Sequence, residues 1–315
     1  MPRSGLLAWR VFAASQGRCE TLRARRLQSL PVTRHALPPD HHPPAARALL
    51  FRWAVPLLGL AAMAWQGLTL LRAMRCGRRM AQLSKRFETR PPRPHAHVLL
   101  LGDSTGVGVG TQPGACLSGL LAAAFPLVHI VNACNNGARV GDTLAQLRAH
   151  ARAGQRFDLA LVLAGGNDVL KLTSPRTLVV HTQALIHELC PMARQVVWLG
   201  SADIGTLPAL KPPLNWAFGW LCRRTMKLLA RTVVGSGIEF IDFCAHGHSR
   251  TFASQPERYF AADGLHPSAA SYRHCFNELT RRTPLVALLT RQPLPAFSGH
   301  PFGAAVSSAG RMPGP

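Results

Sequence analysis

The sequence predicts a three-layer α/β/α domain on a five-stranded parallel sheet, preceded by a transmembrane helix. Two observations carry this. Five short aliphatic runs are each followed by a longer helix-like stretch, and strand then helix repeated in this way places helices on both faces of a parallel sheet. Ahead of them lies a run of 19 residues without a charge, Trp53 to Leu71, about the length a helix needs to cross a hydrocarbon layer of roughly 30 Å.

Taken in order, residues 1–47 are rich in Arg, Pro, His and Ala, include Leu37-Pro38-Pro39-Asp40-His41-His42-Pro43-Pro44, and show no sustained hydrophobic period. They read as a disordered basic segment, or as sequence upstream of the true start. In residues 53–71, Gln66 is the one strongly polar member, and Trp53 sits near an end, as an interfacial anchor does. The favoured reading is a single-pass membrane anchor, with a buried core helix as the rival. Arg72, Arg75, Arg78, Arg79, Lys85 and Arg86 follow the run, against Arg47 and Arg52 before it, so the positive-inside rule places the downstream domain on the cytoplasmic side. Ala62-Met63-Ala64 resembles a signal-peptidase site. Against secretion stand the 52 residues ahead of the run and its continuation past that site.

Residues 72–95 read as a basic linker ending in Arg90-Pro91-Pro92-Arg93-Pro94, and residues 96–290 as the globular domain. Its strands are expected at His97–Leu101, His129–Asn132, Leu159–Leu163, Val196–Leu199 and Glu239–Phe243, short runs suited to burial on both faces of a sheet. Helices are expected near 114–124, 142–153, 175–190, 214–233 and 267–289. Residues 291–315, dominated by Pro, Gly, Ser and Ala, read as a disordered tail.

Charge bears on partners. There are 36 Lys plus Arg against 14 Asp plus Glu, a formal +22, which raises nucleic acid or an anionic membrane as partners. Residues 1–100 hold 17 basic and 3 acidic residues, so most of the excess lies outside the domain. The basic helix around Arg223, Arg224, Lys227 and Arg231 reads as a solvated or membrane-facing surface; it lacks interleaved aromatics for stacking bases, and no nucleic-acid partner is expected. The eight cysteines are scattered without a CxxC, which points to neither a disulfide framework nor a zinc knuckle and favours a reducing compartment.

In an open parallel sheet ligands bind beyond the carboxyl ends of the strands, and four loops there carry conspicuous polar residues. The first strand ends in Gly102-Asp103-Ser104-Thr105-Gly106. A serine where a strand turns into a helix presents its hydroxyl beside outward-facing amides, although a plain helix-capping serine is the simpler reading of this loop alone. Gly106, Gly108 and Gly110 give GxGxG rather than GxGxxG, with no acidic residue closing the second strand and no Gly-Lys-Ser/Thr, so neither a dinucleotide loop nor a P-loop is indicated. The second strand leads to Asn132-Ala133-Cys134-Asn135-Asn136-Gly137, where Gly137 lets its amide approach a carbonyl closely or simply serves a turn. The third ends in Gly165-Gly166-Asn167-Asp168. Asn167 can donate an uncharged hydrogen bond or form an Asx turn, and Asp168 can cap the next segment. Last comes Asp263-Gly264-Leu265-His266-Pro267, where a carboxylate three residues before a histidine can orient its ring, and Pro267 suits the start of the final helix.

Together these loops resemble the blocks of the SGNH hydrolase family, also called GDSL-like esterases and lipases: Gly102-Asp103-Ser104 block one, Asn132 to Gly137 block two, Gly165-x-Asn167-Asp168 block three and Asp263-x-x-His266 block five. The similarity spans residues 97–285. It implies a flavodoxin-like fold, Ser104 as nucleophile, His266 as general base then acid, Asp263 as its orienting partner, and an oxyanion hole formed by Ser104 N–H, Gly137 N–H and the Asn167 amide. Thr105 and a glycine-rich turn replace the Leu common after that serine, so the start of the first helix of the domain is expected to differ. The implied activity is acyl-ester hydrolysis of a small or lipid-derived ester, without cofactor or metal. The alternatives are an acyltransferase using the same triad and a non-enzymatic binder of anionic surfaces or nucleic acid. Cys244, His246 and His248 alternate as metal ligands can, but they fall on an expected loop and lack further ligands, so no metal site is expected there.

Overall fold

The computed structural model describes residues 45–150 and 155–290. The expectations for residues 1–44 and for the tail from 291 lie outside these. The chain divides into two units, Met1–Trp53 and Ala54–Pro315. In the first, the described residues 45–53 are helical. The second holds the rest.

The longest helix, α1 (Ala45–Leu83), includes the whole uncharged run and continues through 12 residues of the stretch expected to be linker. Among the described residues it is the one helix long and apolar enough to cross a membrane. Side chains from Leu57 to Trp65 are exposed, whereas Leu70, Met80 and Ala81 pack against the domain core. Gln66 is only 2% exposed. Its amide donates to the Ala209 carbonyl at 3.4 Å, and its Oε1 accepts from the Lys211 amide at 3.0 Å.

The domain follows in the expected alternation. β1 (Ala96–Gly102) leads to the short α2 (Ser104–Val107) and α3 (Leu117–Ala124), then β2 (Val128–Asn132) and α4 (Val140–His150). β3 (Phe157–Leu163) is followed by α5 (Gly166–Leu170) and α6 (Pro175–Leu189), and β4 (Ala193–Leu199) by α7 (Leu214–Val233). β5 (Glu239–Ile241) precedes α8 (His246–Ser254), α9 (Pro256–Tyr259), α10 (Ala269–Arg282) and α11 (Leu285–Leu289). The sheet is parallel throughout, in the order β2-β1-β3-β4-β5. This is the flavodoxin-like order, whose crevice lies where β1 and β3 diverge to opposite sides.

The strands formed where they did because their runs are buried on both faces: Val98 to Leu101 and Leu159 to Val162 are fully enclosed. Trp198 closes the core behind β4, its indole donating to the Ala164 carbonyl at 3.1 Å. The expected final helix near 267–289 is two helices, because Pro284 removes the amide a continuous helix needs there.

Candidate active site

The site is built at the carboxyl end of β1. Gly102 has φ of +146°, and a Cβ there would lie 2.1 Å from the Leu163 carbonyl oxygen of β3, so only glycine fits. The buried Gln146 of α4 holds this turn from behind, its Oε1 accepting from Gly102 N–H at 2.8 Å and its Nε2 donating to the Gly102 carbonyl at 2.9 Å. Asp103 is the N-cap of α2, accepting from the Thr105 amide at 2.8 Å. Ser104 is therefore the first helical residue, not the cap, and its hydroxyl is available for another partner. α2 is four residues long and is closed by Gly108 at φ +92°.

That partner comes from the other end of the domain. His266 Nε2 lies 3.1 Å from Ser104 Oγ, and His266 Nδ1 lies 2.5 Å from Asp263 Oδ2. The other oxygen of Asp263 accepts from the amides of Leu265 and His266 at 2.9 and 3.0 Å, which fixes the carboxylate plane. Burial pushes the Asp263 carboxyl up, but the bonds from the His266 ring and from these two amides outweigh it and hold the group below its ordinary value. A carboxylate that stays charged keeps Nδ1 protonated and leaves Nε2 to accept a proton. Tyr272 in α10 secures the segment, its hydroxyl donating to the Val109 carbonyl at 2.9 Å beyond α2.

Gly137 and Asn167 line the same cleft as Ser104 and His266. Gly137 has φ of +74°, and its carbonyl accepts from Lys171 Nζ at 2.6 Å. Asn167 Nδ2 donates to Asp103 Oδ2 at 3.0 Å, which ties the third block to the first and turns the amide toward the serine turn. Ser104 N–H lies in the first turn of α2, where an amide has no intrahelical acceptor. All five residues singled out in the sequence are thus brought together.

Two expectations require correction. Asp168 does not cap the segment that follows it: its Oδ2 accepts from the Val140 amide at 2.9 Å and caps α4, while Ser174 caps α6. His246 and His248 stand on α8, not on a loop. They form no cluster with Cys244, because His248 faces His274 at 3.0 Å, whereas Cys244 groups with Cys222 and Asp203. Asp203 is itself engaged by Arg223 at 2.8 Å and by the Gly205 amide at 2.9 Å. Seven cysteines are described, and all are free thiols.

Comparison with known proteins settles the family. The model of the GDSL-like lipase/acylhydrolase family matches residues 100–274, more than half of the chain. The chain belongs to this family. A GDSL-like esterase of Mycobacterium tuberculosis is 25% identical over 182 residues, covering 56% of this chain; the chain matches 58% of that relative's length. Among solved structures, a member of the lipolytic G-D-S-L family from Veillonella parvula is 16% identical, with 59% of this chain and 97% of that one covered and a TM-score of 0.49. An acetylxylan esterase from Geobacillus stearothermophilus is 17% identical, with 60% and 94% covered and a TM-score of 0.47. The GDSL-like match begins in β1 and ends in α10, so it takes in every loop that contributes to the cleft.

Sequence reasoning passed over two contributors to the GDSL-like site. Gln146 is a polar residue on the buried face of α4, a visible anomaly in an amphipathic pattern, but nothing local says that it reaches β1. The second is α1: Met74, Gly77, Arg78 and Ala81 form one wall of the cleft. Gly77 is buried, and a Cβ there would lie 2.8 Å from Asp263 Oδ2 and 3.2 Å from His266 Cε1.

Proposed function

We propose that the chain is a serine hydrolase that cleaves acyl esters through an acyl-serine intermediate, with a domain at residues 96–290 tethered by α1 as a single-pass membrane anchor. The observation that carries this is the continuous hydrogen-bonded line from Ser104 through His266 to Asp263, at 3.1 and 2.5 Å.

Ser104 Oγ attacks the ester carbonyl as its proton passes to His266 Nε2. The carbonyl π pair moves onto oxygen, and the resulting anion is met by Ser104 N–H, Gly137 N–H and Asn167 Nδ2. Collapse expels the alkoxide, which takes the proton from His266, and leaves an acyl-serine. Water, deprotonated by His266, then attacks the acyl carbonyl; collapse of that second adduct releases the acid and returns the proton to Ser104. Asp263 stays ionised throughout and holds the ring.

A cleft of about 540 Å³ lined by Leu117, Ile204, Leu207 and Phe252 beside the serine suits an apolar acyl group, from a small ester or one derived from a lipid. The cations that follow Leu71 support a cytoplasmic orientation. Ser104→Ala is expected to lower turnover of p-nitrophenyl acetate by at least about a thousandfold and to abolish labelling by a fluorophosphonate, with circular dichroism unchanged. Undiminished turnover in that variant would overturn the assignment.

A further inference from the structure

The anchor helix and the active site are one body from Gln66 onward, and this constrains where a bilayer can lie. From Trp53 to Trp65, ahead of the first covered residue, the helix spans only about 20 Å, two thirds of a hydrocarbon layer of roughly 30 Å. The uncharged run reaches the required length only if it is sunk as far as Leu71. Yet Gln66, some 8 Å before Leu71 along the axis, is already covered by Ala209 and Lys211 of the domain. The run can be fully immersed only if this rim of the domain enters the lipid interface.

The rim is built for that. Three residues after Lys211 the chain enters α7, whose exposed face opens with Trp216 and Trp220, one turn apart and 67% and 54% exposed. Exposed tryptophans beside a charged belt are what the headgroup layer favours. The same face continues with Arg224, Lys227 and Arg231, all exposed, and the Arg224 guanidinium stacks 4.6 Å over the Trp220 ring. On α1 itself, Arg72, Arg75, Arg78 and Arg79 follow Leu71 and are exposed. Aromatic then cationic along α7, and apolar then cationic along α1, match hydrocarbon edge then anionic headgroup.

We propose that the loop at Pro208–Pro213 together with Trp216 and Trp220 docks on a bilayer containing anionic phospholipid, holding the cleft at headgroup level so that it receives an acyl ester resident in that bilayer. Gly77, where an added Cβ would lie 2.8 Å from Asp263 Oδ2 and 3.2 Å from His266 Cε1, lies about 9 Å past Leu71 along α1, within the depth of a headgroup layer. Met74 and Ala81, on the same wall of the cleft, place its mouth along the helix. The ester specificity rests on the hydrolase reading above; the docking surface does not.

The test uses the full chain in vesicles of phosphatidylcholine and phosphatidylglycerol. The difference in tryptophan emission between the wild-type protein and Trp216→Phe/Trp220→Phe isolates the pair, and it should be quenched by phospholipids brominated near the carbonyl. Absence of quenching overturns the docking surface whether or not the protein is active, and points to a protein partner for these rings. In parallel, Trp216→Ser/Trp220→Ser should turn over a long-chain ester embedded in the vesicles about tenfold more slowly, equivalent to about 1.4 kcal/mol, while hydrolysis of p-nitrophenyl acetate stays at the wild-type rate. Equal turnover of the embedded ester by variant and wild type overturns supply from the bilayer. Quenching without hydrolysis of either ester by the wild type overturns the hydrolase reading and leaves the docking surface standing.

Discussion

Replacing Gly77 with alanine is the most direct probe of the contact between α1 and the candidate triad. A Cβ at this position would lie 2.8 Å from Asp263 Oδ2 and 3.2 Å from His266 Cε1, and ordinary contact begins at 3.4 Å. Roughly 0.6 Å must be found. The helix cannot easily supply it, because Gln66 is bonded to the Ala209 and Lys211 backbone and Leu70, Met80 and Ala81 pack against the core. The imidazole and its carboxylate must therefore shift away from Gly77, which disturbs their alignment with Ser104. A displacement of about 1 Å at a catalytic constellation costs on the order of a hundredfold, so about 0.6 Å predicts a loss of roughly tenfold or slightly more. Gly67→Ala is the matched control: it makes the same change in the same helix, at a position with open space around it. Both variants gain up to about 1 kcal/mol of helix propensity, so a difference between them reports the contact alone. The assay is kcat/KM for p-nitrophenyl acetate together with the rate of fluorophosphonate labelling. Equal values for the two variants would refute the seating of α1 on His266 and Asp263.

Two further predictions follow from the titrating groups. Asp263→Asn removes the charge that keeps Nδ1 protonated and is expected to lower kcat/KM roughly ten-thousandfold with little change in KM; a comparable loss in KM would mean that Asp263 acts on binding. His248 and His274, in contact at 3.0 Å among Phe243, Phe252 and Tyr259, both have their pKa lowered by burial, against the charges of Glu278 and, for His248, Asp242. A folded value below the free one means that the unfolded chain binds the proton more readily. The pair's contribution to stability is therefore complete above about pH 6.5 and is lost as pH falls through the folded values. The Tm should drop between pH 8 and pH 5, and His274→Phe should reduce that drop; an unchanged drop would locate the acid sensitivity elsewhere.

The β-layer was readable because strands buried on both faces have to be almost purely aliphatic, and each of the five runs found a strand within a few residues of its expected place. Extents were less readable where polarity and structure part company. Residues 72–83 carry so many arginines that they look like linker, yet α1 continues through them. Its packed side is only a stripe of Leu70, Gly77, Met80 and Ala81, two turns and then one turn apart on one face, overwritten by cations on the other faces. α8 was invisible for the opposite reason: no side chain caps its start after Ala245, so His246 and His248 looked like loop residues. Contacts made across the fold, such as Gln146 with Gly102 and Asp168 with Val140, leave no local trace, because the carboxylate or amide looks the same whichever partner the topology brings to it.

The serine itself shows how position decides between two roles that residue type leaves open. A serine at the N-cap of α2 would turn its hydroxyl onto an amide of the first turn. Asp103 takes that position, accepts from Thr105, and with its second oxygen also accepts from Asn167. Burial raises the Asp103 carboxyl, and the Thr105 bonds oppose that most strongly, so capping and charge are coupled at this residue. One residue later, Ser104 keeps helical backbone geometry without a capping duty, and its hydroxyl meets His266 instead. Gly102 allows the close approach of β1 to β3, Asp103 absorbs the demands of the helix start, and the third residue of the motif is left with an unspent oxygen beside an unspent amide. A shift of this motif by one residue along the turn would return the serine to the cap and leave His266 facing a group that cannot attack.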